Sequence, residues 1–235
     1  MKKELHALTA IFPGYFPDCL QFRKIVRSEA VLILDNRPFR SSGKWTRTAI
    51  KTAEGKKYLT VPVWAPEGKQ ADFRSLQIAS QKAWQKKHAR SLWVNYKNAP
   101  YFEHFWPRLR PVFEEPVEAY LQLFERLWKI LLKILAPTPR ILWASATAFA
   151  GSREEEIALQ MKQNHLNTYI LEEKALSFFR CQHLKEQGLG CQTVTVTERS
   201  YPQQFDGFVP NLSVLDLIFN LGPEAPYFLR EATEK

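Results

Sequence analysis

Cysteine is scarce in this chain. Cys19, Cys181 and Cys191 are odd in number and widely spaced along 235 residues, which fits reduced thiols and a cytoplasmic protein better than a disulfide-stapled one. None has C-x-x-C spacing, so a structural zinc is not expected. Long apolar runs are also missing. The nearest, Leu127 to Leu135, is broken by Lys129 and Lys133 and falls well short of the ~18–20 residues of a membrane span. At the start, Lys2 and Lys3 are followed at once by Glu4 and His6 with no A-x-A-like site after them, so no signal peptide is expected. Ser-His-Asp, H-E-x-x-H and paired-carboxylate patterns are absent, as are G-x-G-x-x-G and the P-loop. His104, His165 and His183 lack metal-ligand spacing, so no metal is expected, and nothing in the sequence names a cofactor. There are no internal repeats, no low-complexity tracts and no linker that would split the chain.

What is present is basic and core-forming. The formal net charge is +9, and 45% of residues are hydrophobic, with seven Trp and sixteen Phe. A chain of this length can bury a substantial core. The positive balance suggests an anionic partner, although Lys and Arg are spread widely enough to be a solubilising surface as well. The densest cluster is Lys82, Lys86, Lys87 and Arg90.

The pattern predicts an α/β fold: a mixed, largely parallel Rossmann-like sheet with a β-hairpin and an inserted helical region at about 80–136, all in one domain spanning 1–235. A strand over 5–12 ends at Pro13-Gly14, and Pro17 sits in the first turn of the next helix. Residues 30–35 form a fully apolar strand ending on Asp35. Segments 47–51 and 57–63 flank a glycine turn, a hairpin signal. Ser80 caps a helix to about Lys97, and further helices cover 101–109 and 117–136. Strands at 140–145, 168–171 and 191–198 alternate with helices at 152–165, capped by Ser152, and at 174–187, ended by Gly188. Such alternation argues for parallel strands joined by crossovers.

Four constellations are candidates for function. Pro13-Gly14-Tyr15-Phe16-Pro17 stands at the first strand-to-helix turn, where a helix N-terminus favours an anion, though a rigid turn packing aromatics reads the same way. On the helix after residue 80, Trp84, His88, Ser91 or Leu92, and Asn95 share one face. Histidine is the side chain best placed to move a proton near neutral pH, and it is equally at home as a hydrogen-bonded structural residue. Trp45-Thr46-Arg47, preceded by Arg37, Arg40 and Lys44, would suit phosphate or carboxylate, or form a flexible basic loop. Last comes Asp206 to Pro223: Asn211 is placed to cap a helix in which Leu212, Leu215, Ile218 and Phe219 share a face. Asp216 lies at the edge of that face, and a salt bridge to an arginine would explain so buried a charge.

In order along nearly the whole chain, these pieces resemble the WbqC-like family: Tyr15-Phe16-Pro17 with Phe22 and Lys24-Ile25; Val31 to Asp35; Trp45-Thr46-Arg47 with Ile50-Lys51; Leu59 to Val63; Trp84-Gln85-Lys86-Lys87-His88 with Tyr96 and Ala99 to Phe102; and Phe208 to Asn220 with Gly222-Pro223. The sequence departs from the commoner pattern in three places. Ile11-Phe12-Pro13 replaces His-Gln-Pro, Pro38 rather than Gln precedes Phe39, and Leu171-Glu172-Glu173 replaces a Ser-Gly-Pro-type turn. The branch with this opening looks like one common in Bacteroidetes.

The resemblance implies a cytoplasmic bacterial protein acting on a nucleotide-linked sugar, in surface polysaccharide biosynthesis. The expected function is transferase-like, on a nucleotide or sugar-phosphate ligand. His88 would be proton carrier or phosphate donor and Arg47 a phosphate clamp. Asp35 and Asp216 would accept from ligand hydroxyls or the clamp, with Tyr15, Trp84, Asn95 and Asn211 completing the site. Arg47 or His88 would partner Asp216. The rivals are a non-catalytic scaffold with a decayed site, suggested by Ile11, and a nucleotidylyltransferase-like enzyme. Nucleic acid ranks last, because no groove-reading motif accompanies the lysine cluster.

Overall fold

The computed structural model describes residues 5–40, 43–65, 71–79, 81–135, 137–147, 149–195 and 199–230. Strand β1 (Ala7–Ile11) runs into the Pro13-Gly14 turn and helix α1 (Cys19–Val26), whose N-cap is Asp18, so Pro17 stands just outside the helix rather than in its first turn. Strand β2 (Ala30–Ile33) is buried along its whole length, as a central parallel strand covered on both faces must be. A hairpin follows, β3 (Arg47–Thr52) against β4 (Gly55–Thr60). The short antiparallel pair β5 (Val63–Trp64) and β6 (Gln77–Ile78) comes next. Helices α2 (Gln81–Tyr96), α3 (Phe102–Leu109), α4 (Pro111–Glu114) and α5 (Tyr120–Leu135) form the helical region. Ser80, expected to cap α2, lies outside the described residues.

The chain then returns to the sheet. Strand β7 (Arg140–Trp143) leads to α6 (Arg153–Gln163), whose capping box pairs Ser152 with Glu155. Strand β8 (Thr168–Glu172) is followed not by one helix over 174–187 but by a 3₁₀ turn (Glu173–Ser177) and then α7 (Cys181–Glu186). The break turns Phe179 inward against Tyr169, with ring centroids 4.9 Å apart, while Phe178 stays exposed. Strand β9 (Gly190–Val194) closes the sheet; the rest of the strand expected there, 196–198, is outside the described residues. The chain ends on α8 (Val214–Leu221) and α9 (Ala225–Arg230). Ser213, not Asn211, caps α8. At its other end Gly222 takes φ 54°, and a Cβ there would meet the Tyr101 ring at 2.4 Å.

The five sheet strands are all parallel, in the spatial order β7-β2-β1-β8-β9. In chain order that is third, second, first, fourth, fifth, so the winding reverses between β1 and β8. Alternation along the strands divides the core. Leu8, Ala10, Leu32 and Leu34 pack with Ile157 and Met161 of α6. Ile11, Val31 and Ile33 face the larger cluster built with Leu127, Leu131, Leu215 and Ile218. Helices thus cover both faces of a doubly wound sheet, and the carboxyl ends of β1 and β8 open on the crevice where such folds place ligands. Among the described residues no helix is long and apolar enough to cross a membrane.

Candidate functional site

A cavity of about 240 Å³ lies in that crevice. Its floor is the β1–α1 turn. The Tyr15 N–H donates to the Trp45 carbonyl at 2.7 Å. Phe16 is held at φ 43°, a left-handed conformation costly for a bulky residue. The Thr48 hydroxyl, donating to the Phe16 carbonyl at 2.8 Å, helps to keep it there.

The first N–H groups of α1 behind this turn are held by the protein itself. The Cys19 N–H donates to the Leu212 carbonyl (3.1 Å) and Phe22 N–H to the Asp18 carbonyl. The Leu20 N–H goes to Asn211 Oδ1 (3.0 Å) and Gln21 N–H to Asp18 Oδ1 (2.8 Å). Three of the four donors that an α-helix leaves unpaired, the N–H groups of Cys19, Leu20 and Gln21, therefore have protein partners, which leaves little of this terminus for an anion. The cationic groups of the crevice are side chains.

Those side chains come from the hairpin. Lys44, Arg47, Lys56 and Tyr58 line one wall. Ala49 pairs with Tyr58 and Lys51 with Lys56, so residues two apart on each strand share a face and point together. The Arg47 guanidinium lies 4.9 Å from the centre of the Tyr58 ring. Its Nε is buried with no hydrogen-bond partner. Among the described residues no carboxylate forms an ion pair with Arg47. Lys56 reaches the Pro210 carbonyl at 3.4 Å.

The opposite wall carries Asp18 and Glu172, with Gln21, Lys174 and Asn211. Lys24 Nζ lies 3.4 Å from Glu172 Oε1, and Lys174 Nζ 2.7 Å from Oε2. Burial alone would raise the Glu172 pKa, but the two ammonium groups outweigh it and hold the carboxyl below its ordinary value. Burial lowers Lys24, opposed by Glu172. Asp18 is raised, chiefly by burial.

Of the residues expected at a site, Tyr15, Arg47 and Asn211 line this cavity. Trp84 and His88 stand behind Tyr15. The Tyr15 hydroxyl is 2.9 Å from His88 Nδ1, and the Trp84 ring is 5.2 Å from the imidazole. His88 is buried, and desolvation pushes its pKa down to about 4, against a hydrogen bond to the Thr60 backbone that favours the charged form.

The other three expected residues do not line the cavity. Asp35 is buried and accepts from the Ser145 N–H at 3.0 Å, tying the end of β2 to the end of β7. Asn95 donates to the Ser91 carbonyl of its own helix. Asp216 accepts from the Tyr96 hydroxyl (2.8 Å), the Tyr201 hydroxyl (2.6 Å) and the Gln203 amide (3.1 Å). Neither an arginine nor His88 partners Asp216, because α8 turns its acid inward onto neutral donors. Burial raises its pKa, opposed by the two tyrosines, Lys51 and Gln203.

Sequence reasoning missed Asp18, Gln21, Lys56, Tyr58, Glu172 and Lys174 as wall residues. Glu172 had a usable signal, since it ends an apolar strand just as Asp35 does. Of the arginines near residue 40, Arg37 is committed to Glu156 of α6 and the Gly151 carbonyl. Lys86, Lys87 and Arg90 are exposed on α2. No group of three or more His, Cys, Asp or Glu among the described residues is placed to hold a metal.

Comparison with known proteins gives the chain its relatives. It is 28% identical over 224 residues to "Uncharacterized protein Rv1507c" of Mycobacterium tuberculosis (strain ATCC 25618 / H37Rv), covering 92% of this chain and 94% of that one. No solved structure matches it. A family model, the WbqC-like protein family, matches residues 13–227, a span that takes in the cavity floor, both of its walls and the Asp216 helix. The chain belongs to the WbqC-like protein family.

Proposed function

We propose that the protein binds a phosphate-bearing ligand, a sugar phosphate or nucleotide sugar, in the cavity at the carboxyl ends of β1 and β8. One observation carries this reading. Arg47 lines the crevice at the sheet's reversal point with no carboxylate ion-pair partner among the described residues, flanked by Lys44 and Lys56. A guanidinium in that state suits a planar or tetrahedral oxyanion. The volume is below the ~300–1,000 Å³ that encloses a drug-sized ligand. It would therefore take the phosphate and its attached group, leaving the remainder of a nucleotide sugar outside.

The role is transferase-like, in the cytoplasm, in the building of surface polysaccharide, with the Tyr15–His88 pair as its proton-handling group. A second reading, a binding protein without chemistry, is favoured by a specific placement: His88 and Asp216 both lie off the cavity wall. The test is a thermal-shift screen of the full chain against inorganic phosphate, nucleoside diphosphates and nucleotide sugars. A ligand at a hundred times its Kd adds about 2.7 kcal/mol, a rise of roughly 5–10 °C for a chain of this size. Arg47→Ala removes the response. If no phosphate compound raises the melting temperature at millimolar concentration, the reading fails. Release of nucleotide from a ligand that does bind separates the transferase from the pure binder.

A further inference from the structure

The cavity is polarised, and its two walls ask for different chemistry. The hairpin wall presents Lys44, Arg47 and Lys56. The wall formed by the start of α1 and the end of β8 presents Asp18 and Glu172, with Glu172 paired to Lys24 and to Lys174, which also lines the cavity. A ligand that was only an anion would have no use for that second wall.

The two carboxylates also keep unused capacity. An ionised carboxylate offers about four lone-pair sites. Asp18 spends one on the Gln21 N–H and one on the Asn211 amide, at 2.8 and 3.2 Å. Glu172 accepts from Lys24 on one oxygen and from Lys174 on the other. What remains on both is acceptor capacity, on residues that line the cavity together with Gln21. Spare acceptors in a confined site pair with donors, and hydroxyl groups are the donors a phosphate ester most readily carries.

The topology sharpens this. In doubly wound dinucleotide-binding sheets the acid that holds ribose hydroxyls follows the second strand. Here that position is Asp35, which is buried, bonded to the Ser145 N–H and absent from the cavity lining. Carboxylates stand instead at the N-cap of α1 and at the end of β8.

Resting on the proposed function above, we infer that the ligand is a polyhydroxylated phosphate ester held in one orientation, its phosphate against Arg47 and its hydroxyls against Asp18 and Glu172. Asp18 and Glu172 then determine specificity, while Arg47 supplies general affinity for phosphate.

The experiment is isothermal titration calorimetry on the full chain with three kinds of probe. These are inorganic phosphate, cyclohexyl phosphate, and the gluco-, galacto- and manno-configured hexose 1-phosphates. Cyclohexyl phosphate has the same ring size as the hexoses and no hydroxyls. The best hexose phosphate is expected to bind at least about tenfold tighter than cyclohexyl phosphate, the scale of one hydrogen bond to a charged group. Asp18→Asn is isosteric and keeps a good helix cap. It should reduce that preference while inorganic phosphate binds at least as tightly, because a negative charge leaves the cavity, whereas Arg47→Ala should weaken all the probes. Cyclohexyl phosphate binding as well as every hexose phosphate overturns the inference, and so does Asp18→Asn weakening all probes alike. The wild-type comparison decides even if the variant does not fold. Failure of every probe to bind the wild type removes the cavity reading itself, a different result from loss of the hydroxyl preference.

Discussion

Asn211 caps a helix 191 residues away from it: its Oδ1 accepts from the Leu20 N–H at 3.0 Å, and its Nδ2 donates to Asp18 at 3.2 Å. The segment before α8 is thereby stitched to the amino end of α1, reinforced by the Leu212 carbonyl on Cys19. Asn211 sits at φ 50°, a conformation that asparagine tolerates better than alanine. Asn211→Ala loses the cap and adds strain, and should cost about 2 kcal/mol. Asn211→Gly keeps the backbone conformation and loses only the side-chain bonds, so about 1 kcal/mol is expected. Urea unfolding of the three proteins checks the ordering; equal losses would show that the positive φ carries no strain.

Among the described residues no cation is in hydrogen-bond contact with Asp216, yet it organises three donors from separate parts of the chain: Tyr96, Tyr201 and Gln203. Gln203 in turn clasps Val209 through both ends of its amide. Asp216→Ala would strand all three donors in the core, and the expected loss is roughly 3–5 kcal/mol. Asp216→Asn keeps one acceptor oxygen, and its amide can donate to a tyrosine hydroxyl, so roughly 1–2 kcal/mol is expected. A loss below 1 kcal/mol in the alanine variant would mean that the three donors find water instead.

Much of the sheet was readable beforehand, because local chemistry decides it. The unbroken apolar run at 30–34 can only be a buried strand, Ser152 with Glu155 is a self-contained cap, and Gly55 marks the hairpin. The helix expected over 174–187 failed because burial of Phe179 overrode an otherwise helical pattern. Asn211 was assigned to the wrong helix since capping chemistry reads the same for a neighbour in space as for a neighbour in sequence. Asp216 was assigned a cation because tyrosine hydroxyls carry no sequence pattern that marks them as its donors. Tyr15 and Arg47 stand out in their own motifs, and both line the cavity. Their convergence with Asp18, Lys56 and Glu172 depends on β1 and β8 being neighbours, which is a property of strand order and is written nowhere locally.

The Arg47 guanidinium over the Tyr58 ring, 4.9 Å from its centre, orders the cationic wall of the cavity. A cation–π contact at an exposed site is worth about 0.5–1 kcal/mol. Tyr58→Ala should therefore cost about 0.5–1 kcal/mol of stability and, by releasing the guanidinium, weaken phosphate binding by up to roughly fivefold. Tyr58→Phe keeps the ring face and should bind as the wild type does. Calorimetric titration with inorganic phosphate distinguishes the variants, and equal weakening in Tyr58→Phe would show that the hydroxyl, not the ring, is what matters.

His88 gives the protein a signed dependence on pH. Its pKa is about 4 when folded, against 6.5 for an ordinary histidine, because burial disfavours the imidazolium. A depressed histidine pKa means that below 6.5 the unfolded chain binds a proton that the folded chain refuses. The contribution of the neutral ring is fully present above pH 6.5 and is lost progressively as pH falls toward 4, by up to about 3 kcal/mol from the difference in pKa. Other groups titrate in the same window, so the measurement is the difference between wild type and His88→Gln, in which their effects cancel. Glutamine cannot charge but can still accept from Tyr15, whose hydroxyl lies 2.9 Å from Nδ1. The stability advantage of the wild type over His88→Gln should shrink steadily from pH 7 to pH 4.5. An advantage that stays constant over that range would place the folded-state pKa of His88 near its ordinary value, and with it a charged imidazole behind Tyr15 at mildly acidic pH.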